Sequence, residues 1–181
     1  MALVINLFGG PGTGKSTTMA RLFADLKSEG YNCEMVSEFA KDLVYENRID
    51  TMKDELYIFA KQNHRLFRVE DKVDIIITDR PLLLTNVYVD RYASKDYDEY
   101  QFLANLVRYT FLKYNNVNIL LERDVEYKTN EGRMQNLKEA KILDIETKKH
   151  LKLAEADYQQ IKTTDYDAIY NHCKEKIKNL L

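Results

Sequence analysis

Eight consecutive residues, Gly9-Gly10-Pro11-Gly12-Thr13-Gly14-Lys15-Ser16, match the pattern G-x-x-x-x-G-K-[ST], whose chemistry is the grip on nucleoside triphosphate phosphates. Each residue type has a physical use there. Glycine adopts backbone angles that other residues reach only with strain, so successive N–H groups can curl around phosphate oxygens as an anion nest. A helix opening at Lys15 aims its positive end at the same oxygens. Lys15 supplies a cation for the β- and γ-phosphates, Ser16 offers a hydroxyl to Mg²⁺, and Thr17 stands next in line near the α-phosphate. The chain holds 6 glycines and 2 prolines, and four of those glycines plus Pro11 fall within residues 9–14. The backbone freedom of the chain is therefore concentrated in one loop.

Such a loop needs a second acid for Mg²⁺ or its waters. The run Asp74-Ile75-Ile76-Ile77-Thr78 places Asp79 at the tip of a buried strand, which makes Asp79 the metal-side carboxylate alongside Ser16. The next residue is Arg80. Motor and AAA-type ATPases carry a Glu there that polarises the attacking water, so Arg80 favours transfer to a bound acceptor over transfer to water. No Asn-Lys-x-Asp guanine-reading signature is present, and the strand at 117–121 runs into Glu122-Arg123-Asp124 instead.

The elements that position these residues follow from periodicity. Leu3–Phe8 is a short apolar run broken only by Asn6, as in a central parallel strand. Lys15–Glu29 has Met19, Leu22, Phe23 and Leu26 at helical spacing. Strands are predicted at Asn32–Ser37, Val73–Thr78, Val117–Leu121 and Tyr158–Lys162. Helices are predicted at Glu38–Glu46, Lys53–Glu70, Leu82–Tyr92, Tyr97–Tyr114, Asn136–Ala154 and Asp165–Leu181. In the Lys53–Glu70 helix the expected inward residues are Leu56, Phe59, Ala60 and Phe67. Alternating β and α gives an α/β, three-layer P-loop fold: a five-stranded parallel sheet with helices on both faces. Ligands then sit beyond the carboxyl ends of the strands, where Gly9–Ser16, Ser37-Glu38, Asp79-Arg80 and the residues from Glu122 onward all fall.

Bulk composition fits one domain over residues 1–181, with 45 % hydrophobic residues for a core. A net charge of -2 argues against a dedicated nucleic-acid binder. Cys33 and Cys173 lack metal-type spacing and read as free thiols of a cytoplasmic protein. His64, His150 and His172 are isolated, and most of the 13 tyrosines fall where packing uses them. No apolar run reaches the roughly 18 residues of a membrane span.

Together, Gly9–Thr17, Ser37-Glu38, Asp79-Arg80 and an arginine-containing segment at 122–136 resemble the nucleoside and nucleotide kinase group of P-loop enzymes. Asp79-Arg80 is similar to the Asp-Arg step of thymidylate and deoxynucleoside kinases. Glu38-Phe39-Ala40-Lys41-Asp42-Leu43-Val44 and Asn118-Ile119-Leu120-Leu121-Glu122 are closer to bacterial ribosylnicotinamide-kinase domains and small bacteriophage ATPases of that kind. Thymidylate kinases continue Arg-Glu-Pro after the second strand, where this chain has Glu38-Phe39-Ala40. The resemblance implies that Glu38 orients or deprotonates an acceptor hydroxyl; an ordinary Glu is ionised near pH 7 and can take that proton. The alternative use of Glu38 is to complement a helix dipole, and Asp79 can exchange roles with it. Arg80 is expected on a substrate phosphate or the transferring group, or else in a salt bridge. The segment 122–136 is implied to be a lid, with Arg123, Lys128 and Arg133 closing over the phosphates and excluding water; the competing account is a solvated charged loop.

The expected co-substrate is ATP with Mg²⁺. The expected acceptor is a nucleoside, a nucleotide or a nicotinamide riboside-like small molecule. Two other readings stay open: a kinase acting on a nucleic-acid end or modified base, which needs a basic groove, and an ATP-binding regulator that hydrolyses slowly.

Overall fold

The computed structural model describes residues 1–92, 97–127 and 135–180. Among them the chain runs β1 (Leu3–Phe8), α1 (Lys15–Ser28), β2 (Cys33–Val36), α2 (Phe39–Tyr45), a 3₁₀ turn (Ile49–Lys53), α3 (Glu55–Phe67), β3 (Ile75–Thr78), α4 (Leu84–Tyr92), α5 (Tyr97–Leu112), β4 (Asn115–Glu122), α6 (Leu137–Leu153), β5 (Gln159–Lys162) and α7 (Tyr166–Leu180).

The five strands form one sheet in the order β2-β3-β1-β4-β5, and every pairing is parallel. β1 is central and buried along its whole length, which is what its unbroken apolar run requires. Its side chains alternate between two cores. Leu3, Ile5 and Leu7 pack with Met19, Leu22 and Leu26 of α1 and with Ile169, Cys173 and Ile177 of α7. Val4 and Phe8 face the other way, into a core built with Phe59, Val87, Phe111 and Leu143 from α3, α4, α5 and α6. This is the three-layer arrangement expected from the βα alternation.

Asn6 interrupts β1 with a polar group that is 1 % exposed. Its Nδ2 donates to Asn116 Oδ1 at 2.8 Å and to Asn118 Oδ1 at 3.0 Å, both on the neighbouring β4. Asn116 Nδ2 in turn donates to the carbonyls of Phe111 and Tyr114, and Asn118 Nδ2 to that of Asp157. The buried amides thus satisfy one another and the backbone.

The α3 face departs from expectation. Phe59 is buried, but Leu56 is 53 % and Phe67 61 % exposed, and Ala60 is exposed as well. The buried stripe is Glu55, Ile58, Phe59, Gln62 and Leu66, a clean helical repeat whose phase is masked by two polar residues. Gln62 earns its burial by accepting from Phe39 N at 2.9 Å and donating to Ser37 O at 3.2 Å, so it fastens α3 to the start of α2.

The order of the strands reverses at β1, with β3 on one side and β4 on the other. The crevice beyond the carboxyl end of β1 is where an open sheet of this kind takes its ligand.

Candidate active site

Gly9–Gly14 fills that crevice, leaving β1 and turning directly into α1. Gly14 caps α1 at φ 86, a left-handed angle suited to glycine; no side chain caps the helix and no acid stands in its first turn. The N–H groups at the positive end of α1 are thereby left to an outside anion. Thr13 is fully buried and donates its hydroxyl to Gly10 O at 2.9 Å, while Thr163 donates to Thr13 O at 2.8 Å. These bonds hold the loop from inside. Gly10 is required for a different reason: a Cβ there would stand 2.6 Å from Ala140 O and 2.6 Å from Asp144 Oδ1.

Lys15 is half-buried, and its Nζ donates to the carbonyls of Gly9 and Gly10 at 2.7 and 2.9 Å. Desolvation draws its ammonium below the ordinary lysine value, opposed by Glu38 and Asp79. Ser16 donates its hydroxyl to Asp79 Oδ2 at 2.5 Å, and Glu38 donates its backbone N–H to Asp79 Oδ1 at 3.1 Å. Asp79 is 4 % exposed, and both its oxygens are engaged. A hydroxyl and a carboxylate meeting this closely form the oxygen pair that suits Mg²⁺. Among the described residues no group of three or more His, Cys, Asp and Glu is placed to hold a metal.

Glu38 sits at the turn into α2 and accepts from Arg80 Nη1 at 3.0 Å. Arg80 is itself buried, with its guanidinium 4.2 Å from the Tyr88 ring centroid. Burial opposes its charge, but Glu38, Tyr88 and Glu55 outweigh that and hold the guanidinium above its ordinary value. Arg80 is therefore a buried, oriented cation and not a surface ion pair.

Arg123 is placed differently from the solvated-loop account. Its side chain is 8 % exposed. Nε donates to Asp144 Oδ2 at 2.8 Å, and Nη2 donates to Asp144 Oδ1 at 3.1 Å and to Pro11 O at 2.8 Å. Asp144 Oδ1 also accepts from Gly10 N at 2.7 Å. The pair clamps α6 to the glycine loop. Nη1 of Arg123 is buried without a partner, on the side facing Gly12. Lys128 and Arg133 lie outside the described residues.

The glycine loop divides two clefts. One lies over Lys15, Glu38 and Arg80 and extends along Ala40, Val44, Met52, Glu55, Ile58, Leu84 and Tyr88. The other lies behind Gly12 and Gly14, against Arg21, Thr163, Thr164 and Tyr166, where the Arg21 guanidinium stacks 3.6 Å from the Tyr166 ring centroid. Thr17 lines both.

A family model described as AAA domain matches residues 4–168. The chain belongs to this AAA-domain family. No curated protein matches it. Among solved structures, a NadR protein in complex with NAD and AMP-PNP superposes with a TM-score of 0.65 at 17 % identity, over 98 % of this chain and 50 % of that one. A NadR protein in complex with NR gives 0.65 and 17 % over 96 % of this chain and 50 % of that one. A deoxyadenosine kinase from M. mycoides, with dCMP and dCDP bound, gives 0.65 and 18 % over 98 % of this chain and 100 % of that one. This AAA-domain chain thus spans half the length of the NadR chains, and at these identities the likeness is one of fold.

In the AAA-domain chain, Lys15, Ser16, Glu38, Asp79, Arg80 and Arg123 gather at the glycine loop from four segments, those that follow β1, β2, β3 and β4. Two participants lay beyond the sequence reading. Asp144 is an unremarked acid on a charged helix, 21 residues from Arg123, and no local pattern marks it. Glu55 is polar, so the apolar pattern that starts at Leu56 does not single it out, although its spacing from Ile58, Phe59, Gln62 and Leu66 puts it on the inward face.

Proposed function

We propose that this protein transfers the γ-phosphoryl group of ATP to a small-molecule acceptor of the nucleoside, nucleotide or nicotinamide riboside-like class. The observation that carries this reading is the meeting of Lys15, the Ser16–Asp79 pair and the Glu38–Arg80 pair at the mouth of one cleft, with a second cleft behind the glycine loop. The γ-phosphate lies where the P-loop lysine and the metal-side oxygens are. That assigns the cleft over Lys15 to the acceptor and the cleft at Arg21, Thr163 and Tyr166 to the nucleoside part of ATP.

Residue roles follow. The backbone of Gly9–Gly14 and the end of α1 hold the phosphates, with Thr17 beside the α-phosphate. Ser16 and Asp79 would hold Mg²⁺, which when bound neutralises charge on the β- and γ-oxygens. Lys15 and Arg80 supply positive charge fixed before the reaction, in a poorly hydrated site where it acts strongly. With Asp79 on the metal side beside Ser16, the role of base goes to Glu38. As the acceptor hydroxyl oxygen bonds to the γ-phosphorus, its proton passes to the Glu38 carboxylate and the bond to the bridging oxygen of ADP breaks. Arg80 holds Glu38 in place through the Nη1–Oε1 hydrogen bond. The Nη1 of Arg123, which has no hydrogen-bond partner, is available to a phosphate oxygen; Lys128 and Arg133 are proposed for the same role on the sequence resemblance alone. The position after Asp79 holds Arg80, not a water-polarising Glu, which supports an acceptor other than water.

The test is phosphoryl transfer from ATP–Mg²⁺ to a panel of nucleosides, nucleoside monophosphates and nicotinamide riboside, with Lys15→Ala as control. Acceptor-stimulated ADP release that Lys15→Ala abolishes is expected. Tight ATP binding without acceptor stimulation overturns the reading.

A further inference from the structure

Glu55 opens α3 and is 5 % exposed, yet its Oε2 is buried without a hydrogen-bond partner. It lines the cleft that also holds Lys15, Glu38 and Arg80. An ionisable oxygen left bare in the interior is costly, and Arg80, the cation that Glu55 faces, already donates to Glu38. Gln62, two turns along the same stripe, shows the contrast: its amide is engaged by the backbone at both Ser37 and Phe39.

The surroundings of Glu55 explain why its oxygen stays bare. The charged and titratable groups around it are Arg80 after β3, Glu38 and Lys41 at α2, Asp54 just before α3, Tyr88 on α4 and Lys15 on α1. Arg80, the nearest cation by its effect on Glu55, is engaged with Glu38 at 3.0 Å. Asp54 spends its side chain capping α3, accepting from Tyr57 N at 2.9 Å. The remaining cleft wall near Glu55 is apolar: Ala40, Val44, Met52, Ile58 and Leu84. An apolar wall with one bare carboxyl oxygen is suited to a flat ring that presents an N–H at its edge. Burial raises the Glu55 carboxyl to about 7, with Arg80 opposing, so at neutral pH a donor that pairs with the carboxylate has much to gain.

Resting on the kinase reading, we infer that Glu55 selects the acceptor: its Oε2 accepts a hydrogen bond from an exocyclic amino or carboxamide N–H of a heterocyclic nucleoside whose ring lies on the Met52–Leu84 wall. The hydroxyl end of that nucleoside reaches Glu38. A nucleoside of the same shape without the N–H leaves Oε2 bare and is rejected, since a site built around a hydrogen bond discriminates most strongly against the ligand that lacks it.

The experiment compares matched acceptors in phosphoryl transfer from ATP–Mg²⁺: adenosine against purine riboside, cytidine against pyrimidin-2-one riboside, and nicotinamide riboside against pyridine riboside. For the pair the enzyme uses, the wild type favours the member with the N–H by about 10- to 100-fold in kcat/KM. Glu55→Ala brings that ratio close to one while the KM for ATP stays within about twofold. Glu55→Gln, which preserves side-chain volume, serves if the alanine variant does not fold, and it compresses the ratio too. A ratio unchanged in both variants, or a loss shared equally by both acceptors and ATP, overturns the inference while transfer itself stands. No Lys15-dependent transfer to any of the six overturns this inference, and the kinase reading falls with it only if nucleoside monophosphates are refused as well.

Discussion

Replacing Glu55 by Gln should make the protein more stable at alkaline pH and less so at acidic pH. An unfolded Glu titrates near its ordinary value of 4.5, and in the fold burial lifts Glu55 to about 7. Between those values the folded state holds a proton that the unfolded state has released, so stability falls as pH rises through the window and is level above it. The gap of about 2.5 pH units, at 1.36 kcal/mol for each, amounts to about 3 kcal/mol lost from the wild type by pH 8. Gln cannot ionise and escapes that loss, but it keeps a buried polar group in need of a partner, at a cost of about 1–2 kcal/mol. The net expectation is a variant more stable by about 1–2 kcal/mol at pH 8, or roughly 2–8 °C in Tm for a chain of this size. At pH 5 the sign reverses, and the variant melts level with or below the wild type. Calorimetric unfolding of both proteins from pH 5 to 8 reads this directly. A Tm difference that stays constant within about 1 °C across the range would refute the raised Glu55 carboxyl and the burial argument behind it.

Asp79→Asn keeps the shape at the end of β3 but removes the charge beside Ser16; kcat should fall about 100-fold or more, and the Mg²⁺ concentration for half-maximal rate should rise. Steady-state kinetics across Mg²⁺ concentrations check this, and an unaltered Mg²⁺ dependence removes Asp79 from the metal side. Glu38→Gln should lower kcat by about 10²- to 10⁴-fold with little change in KM for ATP, measured in the same transfer assay; a near-normal kcat assigns the proton elsewhere. Gly10→Ala pushes a methyl to 2.6 Å from Ala140 O and Asp144 Oδ1, and should destabilise the fold by about 1–3 kcal/mol, seen as a fall of several degrees in Tm. Asp144→Ala strands the Arg123 guanidinium, whose side chain is 8 % exposed, and should cost on the order of 3 kcal/mol; denaturant unfolding with a loss under about 1 kcal/mol would show the clamp to be idle.

The sheet and the P-loop were legible because their signals are local. Leu3–Phe8 and Ile75–Thr78 are apolar runs too short for helices, and the glycine cluster ties the first of them to a helix that starts at Lys15. All five strands fall where the pattern put them, with ends shifted by a few residues. The strand order β2-β3-β1-β4-β5 is not local and no spacing encodes it. The 3₁₀ turn at Ile49–Lys53 escaped notice because five residues give too little period to read. In α3 the period was present but misphased: Leu56 and Phe67, exposed in the fold, outweighed Glu55 and Gln62, which a hydrophobicity reading assigns to solvent. For Arg123 the sequence offers a lid arginine over the phosphates or a solvated loop residue, and neither reading contains its partner Asp144 on α6, which takes it into the interior.

The three asparagines across β1 and β4 bear on how the chain finds its register. Apolar side chains alone are a permissive guide, because sliding β4 along β1 by two residues returns every side chain to its original face and buries much the same surface. The amides are less forgiving. In the native pairing Asn6 stands opposite Asn118 and also reaches Asn116, two residues back; moved by two toward the carboxyl end of β4, it would stand opposite Leu120 and keep only one of these two asparagine partners. The lost bond leaves Asn116 Oδ1 without Asn6 and costs about 0.5–1.5 kcal/mol, which packing in the shifted pairing does not return. Since β1 leads straight into Gly9 and β4 into Arg123, a misaligned pair would also draw the two arms of the phosphate cradle out of step by roughly 7 Å. A handful of buried amides thus acts as a checksum on assembly, accepting the one alignment in which the loop and its clamp can meet.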